Sequence, residues 1–109
     1  METPHLAIDS SVEGTVARVR LVGELDMDAA EGVSQALVAL ARKGATSVVV
    51  DTEGITFIDS SGLRALLSGR QALGDVDVSL VIDQASPAVE RVLEITGTAK
   101  LLRPNGESA

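Results

Sequence analysis

The stretch "TSVVVDTEGITFIDSSGLRALL", Thr46 to Leu67, decides how the chain is read. Its front half is a continuous apolar run at Val48, Val49 and Val50 that closes on Asp51. Such a run is expected of a central strand, flanked by other strands and covered on at least one face. Its back half, continued to Gly74, places Leu63, Leu66, Leu67 and Leu73 on one helical stripe. The segment "TEGITFIDSSGL" is therefore expected to connect a strand to a helix, with Asp59, Ser60, Ser61 and Gly62 at the point where the helix emerges. A helix start leaves backbone N–H groups unpaired and carries a partial positive charge, so a hydroxyl, carboxylate or phosphate oxygen is stabilised there. On local grounds a capped turn accounts for these residues, with Gly62 allowing close backbone approach.

Outward from this junction the chain alternates short strands and helices. "LAI" and "TVARVRLV" read as strands separated by "DSSVEG", whose Glu13-Gly14 resembles a tight-turn pair. In the second strand Ala17, Val19 and Leu21 share one face and Arg18 and Arg20 the other, which indicates one wet face. "DMDAAEGVSQALVALARKG" repeats apolar residues at Ala30, Val33, Leu37 and Leu40. Asp28 and Glu31 are its expected capping pair, and Arg42, Lys43 and Gly44 its C-terminal signal. "VDVSLVI" is a further strand. "SPAVERVLEITG" is a helix opened by Ser86 and Pro87, turning Val89, Val92 and Leu93 inward and stopping at Gly97. "AKLL" is expected to form a last short strand. The order β-β-α-β-α-β-α-β specifies an α/β fold. Its mixed sheet should have four or five strands, with helices packed mainly on one face and right-handed crossovers.

Composition narrows the chemistry. A chain of 109 residues fits a single domain, read as 1–103, with "RPNGESA" leading into a frayed tail over 104–109. There are no cysteines, which removes disulfides, thiolate metal sites and cysteine nucleophiles. The single histidine, His5, leaves no material for a histidine-rich metal site or a catalytic triad. The net charge is −7 with scattered basic residues, so the footprint for nucleic acid is absent; the acidic surface suits a basic protein partner or is simply a solvated, solubility-giving one. The sole aromatic residue, Phe57, provides no stacking platform for bases or a cofactor. No apolar run approaches a membrane span and no leader pattern opens the chain, so a cytoplasmic protein without cofactor or metal is expected. No G-x-S-x-G elbow or Gly-rich phosphate loop argues for an enzyme.

Three stretches, "VGELDMDAAEGV", "DTEGITFIDSSGL" and "ASPAVERVLEITG", resemble in order and spacing the successive motifs of the STAS-domain anti-sigma factor antagonists, or anti-anti-sigma factors. The resemblance implies that Ser60, directly after Asp59, is a phosphoacceptor, with Asp59, Ser61 and Gly62 completing its site. It implies partner switching. The unphosphorylated protein binds an anti-sigma factor with a histidine-kinase-like serine kinase fold and releases a sigma factor. ATP-dependent phosphorylation by that partner breaks the complex, and a PP2C-type phosphatase resets it. The "GELD" loop is implied in partner binding through Glu24 and Asp26, with Asp26 also positioned to orient the hydroxyl or the partner's metal–nucleotide. Arg64 departs from the small residue many relatives carry there; standing four residues after Ser60, it reads either as a solvated arginine or as a residue that contacts the partner or steadies the phosphate. The chain also ends soon after "AKLLRP", so the C-terminal helix of many relatives is not expected.

Two other readings compete. A response-regulator receiver would use Asp51 at the end of the central strand, but needs an acidic pair after the first strand and a late lysine. The chain offers Asp9 and Lys100. The other keeps the fold and changes the duty, to a stand-alone STAS subunit of a lipid-transport or other signalling complex without a phosphoserine switch. The intact Asp59-Ser60-Ser61-Gly62 run places the antagonist reading first.

Overall fold

Alternation in the second strand sets the inside and outside of the molecule: Ala17, Val19 and Leu21 are buried while Arg18 and Arg20 are exposed. The structure, a computed structural model, describes residues 5–104. The expected frayed tail lies outside the described residues apart from Pro104. The elements run β1 (Leu6–Glu13), β2 (Val16–Leu25), α1 (Met27–Arg42), β3 (Ser47–Ile58), α2 (Ser60–Gly74), β4 (Ser79–Ala85), α3 (Pro87–Thr96) and α4 (Ala99–Leu102). The four strands lie in the order β1-β2-β3-β4, with β1 antiparallel to β2 and the other pairs parallel. The mixed α/β sheet is thus as expected. The helices cover the face carrying Val19, Leu21, Val48, Val50, Leu80 and Ile82, all part of one buried cluster.

The strands are longer than their apolar runs. β1 continues through "DSSVE" to Glu13, and the turn is Gly14, at φ 63, with Thr15. Polar residues are tolerated there because Asp9 lies opposite Arg20 and Ser11 opposite Arg18 on the wet face of an edge strand. β3 likewise runs on through "TEGITFI", which the sequence marked as a connection. Its pairing with β2 shifts between Arg20 and Val22 and again between Gly23 and Glu24, and each shift places an extra residue on β3. Buried positions therefore fall at Val48, Val50 and Thr52, then at Ile55 and Ile58. The step of two becomes a step of three, which erases the strand period.

Two further expectations are corrected. α1 is capped by Asp26, whose carboxylate accepts from Ala29 N at 3.2 Å, rather than by Asp28 and Glu31. Leu25 is fully buried at the end of β2, so the helix must begin at once and the next residue becomes the cap. "AKLL" forms one helical turn, not a strand: Leu101 N and Leu102 N donate to Thr98 O, and Leu102 enters the core. Arg103 then reaches back, donating to Glu90 Oε2 at 3.2 Å and to Asp83 O at 3.4 Å. α3 begins and ends as expected, with Ser86 accepting from Val89 N and Gly97 in the left-handed conformation at φ 73.

Candidate functional site: two helix N-termini on adjacent strands

Leu25 and Ile58 are paired at the ends of the parallel strands β2 and β3. Each is followed by an aspartate that opens a helix. The two aspartates have nearly the same backbone, Asp26 at φ −111, ψ −170 and Asp59 at φ −115, ψ −172. Asp59 Oδ1 accepts from Gly62 N at 3.0 Å, as Asp26 Oδ1 does from Ala29 N. The starts of α1 and α2 therefore emerge side by side from one end of the sheet.

Gly62 holds them together. A Cβ at this position would collide with the carbonyl oxygen of Leu25, so only glycine lets α2 lie this close to the end of β2. Further along, Gly69 seats the Leu37 side chain of α1, with Cδ1 2.8 Å from where a Cβ would stand. The two helices are thus fixed to one another as well as to their strands.

This scaffold brings Asp26, Asp59, Ser60, Ser61 and Gly62 to one end of the sheet. Ser60 is the first residue of α2 and is exposed; Ser61 is half-buried. The cap is supplied by Asp59, so the Ser60 hydroxyl is not committed to the backbone of its own helix. Glu24 is exposed and pairs in register with Phe57. Asp26 and Asp59 are half-buried, each spending one carboxylate oxygen on its cap. Arg64 is exposed one turn along α2, and among the described residues it forms no ion pair. No group of three or more His, Cys, Asp or Glu side chains among the described residues is arranged to hold a metal.

Two apolar residues to which the sequence alone assigns no role lie exposed at this end of the molecule. Met27, the first residue of α1, is 70% exposed, and Phe57 is 48% exposed. Phe57 could have been singled out had the bulges in β3 been foreseen, because it then falls on the outward step between buried Ile55 and Ile58. Asp51, the acid of the receiver reading, does not end a strand. It sits inside β3 opposite Arg20, and its Oδ1 accepts from Glu53 N at 2.9 Å. The sheet face away from the helices carries both signs of charge, with Arg18 and Asp83 4.0 Å apart. No helix among the described residues is long and apolar enough to cross a membrane.

Comparison with known proteins follows the same lines. The family model described as "Mlab, STAS domain" matches residues 8–104. The anti-sigma-B factor antagonist of Staphylococcus aureus is 28% identical over 101 residues, covering 93% of this chain and 94% of that protein. Among solved structures, an anti-sigma factor antagonist from Mycobacterium paratuberculosis superimposes with a TM-score of 0.79 at 25% identity, over 94% of this chain and 88% of that one. The anti-sigma factor antagonist SpoIIAA in its unphosphorylated form gives 0.75 at 26% identity, over 87% and 84%. The phosphorylated form of SpoIIAA, from Bacillus, gives 0.69 at 26% identity over 87% of each chain. With nearly the whole described chain matched and the mixed sheet in common, this protein belongs to the STAS-domain family.

Proposed function

We propose that this chain is an anti-sigma factor antagonist working as a phosphorylation switch in the cytoplasm. Unphosphorylated, it binds an anti-sigma factor of histidine-kinase-like serine kinase fold and so releases a sigma factor. Phosphorylated on Ser60, it no longer binds. A PP2C-type phosphatase restores the binding form. The observation that carries the reading is the exposed Ser60 hydroxyl at the first position of α2, left uncommitted because Asp59 caps the helix. The likeness to antagonists, and to SpoIIAA in both phosphorylation states, supports it.

The chemistry follows from the position. Ser60 Oγ attacks the γ-phosphorus of ATP held by the partner, the bond from that phosphorus to the β,γ-bridging oxygen breaks so that ADP leaves, and the hydroxyl proton passes to a base of the partner or to water. The chain itself is substrate and binding module. Phosphoserine adds a charge of about −1.5 to −2, which the α2 dipole tolerates, so the fold survives the modification. In a packed interface the same group must lose water and meet nearby acids. A penalty of about 3–4 kcal/mol there weakens binding a few hundred-fold, enough for a switch. Glu24, Asp26, Ser61 and Arg64 complete the partner surface around it, and the acids call for basic residues opposite.

Phosphopeptide mapping after incubation with host lysate and Mg-ATP tests the reading. One phosphate on the peptide containing Ser60, retained in Ser61→Ala and lost in Ser60→Ala, is the expected result. A chain that captures a partner but takes no phosphate would instead be a STAS subunit of a lipid-transport or other signalling complex without a phosphoserine switch.

A further inference from the structure

The geometry points to Arg64 as an intramolecular clasp for phosphoserine 60, an inference that rests on Ser60 being the phosphorylated residue. Arg64 follows Ser60 by four residues on α2, and both are exposed. Residues at this spacing stand about 5–6 Å apart at Cβ, and helical side chains lean toward the N-terminus, so Arg64 covers the turn that Ser60 begins. No carboxylate among the described residues pairs with Arg64, so its guanidinium need not be taken from another partner. The first two turns of α1 and α2 carry no other lysine or arginine, while Glu24, Asp26, Asp28 and Asp59 supply acids around the two helix starts. A phosphate added to Ser60 therefore has one guanidinium on its own helix and these acids near the two helix starts; His5, whose carbonyl accepts from Glu24 N, also lies at this end of the sheet and is common to every variant compared below.

A guanidinium fork matches phosphate oxygens, and the pair is charge-assisted. It favours the dianion over the monoanion, countering the acids, which act in the opposite sense. Phosphoserine loses its second proton near pH 6, so the clasp keeps the phosphate doubly charged as the medium turns mildly acidic. The non-binding state would then hold its full charge where an unclasped phosphoserine has begun to lose it.

The test installs phosphoserine at position 60 of the full chain during translation and follows its second ionisation by phosphorus NMR. Wild type, Arg64→Gln and Arg64→Lys are compared at 50 mM and 1 M salt. The wild-type midpoint is expected about half a pH unit below that of Arg64→Gln, with Arg64→Lys between them, and the gap should shrink at high salt. Coincident wild-type and Arg64→Gln curves would overturn the clasp, as would a gap indifferent to salt. The phosphate is placed without a kinase, so this result is independent of whether one acts on Ser60; that question is answered by the phosphopeptide mapping.

Discussion

Asp26 and Asp59 are the same device used twice: each directly follows one member of the Leu25–Ile58 pair, and each caps the helix leaving its strand through one carboxylate oxygen. The pairing of parallel strands therefore fixes where both helices begin. Ser60 takes its position from the sheet rather than from a loop, which suits the proposed role of presenting one hydroxyl to a partner's nucleotide.

The cap and the charge of these aspartates separate by substitution. Asp59→Ala should lose about 1 kcal/mol, or about 4–8 °C in melting temperature, measured by thermal denaturation. Asp59→Asn and Asp26→Asn keep an acceptor oxygen and should melt close to wild type. If Asp26 belongs to the proposed partner surface, Asp26→Asn should nevertheless bind the anti-sigma factor more weakly by calorimetry, because a carboxylate proposed to meet basic residues has been neutralised.

Two glycines should respond with opposite signs. Gly62→Ala drives a methyl group into the Leu25 carbonyl and should cost at least about 1–3 kcal/mol in urea denaturation. Gly32, inside α1, has nothing within 4 Å of its would-be Cβ and ordinary helical backbone. Gly32→Ala should therefore stabilise by about 0.4–1 kcal/mol.

Much of this arrangement was legible in the residues. The helical stripe of α2, the Ser86–Pro87 start and Gly97 stop of α3, and the two-faced β2 each rest on a local period or cap, and they stand as read. The junction residues were legible as a cluster because Asp59, Ser60, Ser61 and Gly62 are adjacent in the chain. What the local signals hid was set by pairing. Two extra residues in β3 broke its alternation, so "TEGITFI" read as a connection. The Asp26 cap was hidden because burial of Leu25, a tertiary requirement, placed the helix start ahead of Asp28 and Glu31. Leu101-Leu102 was too short to declare a period, and burial of Leu102 made it a helical turn.

The join between β3 and β4 offers a third prediction. Thr52 is fully buried, and its Oγ1 donates to Gln84 O at 2.8 Å, close to where the register of this pair shifts after Val50. Thr52→Val keeps the shape and removes the donor. It should cost about 1–2 kcal/mol by urea denaturation, with the native circular dichroism spectrum retained.

Stability and binding should part company at Ser60. A carboxylate at the first helical position lies in the positive end of the α2 dipole, so Ser60→Asp should melt at or above the wild-type temperature, gaining up to about 1 kcal/mol. The same substitution should abolish partner binding. A Ser60→Asp protein that melts well below wild type would show that the site does not tolerate negative charge.

The most direct measurement captures partners from host lysate with wild-type, Ser60→Ala and Ser60→Asp baits, with and without Mg-ATP, and identifies them by mass spectrometry. Wild type and Ser60→Ala should retain a histidine-kinase-like anti-sigma factor, Ser60→Asp should not, and ATP should release it from wild type alone. Partners held equally by all three baits and indifferent to ATP would contradict the switch, leaving Asp59 and Ser60 as the capped start of a helix.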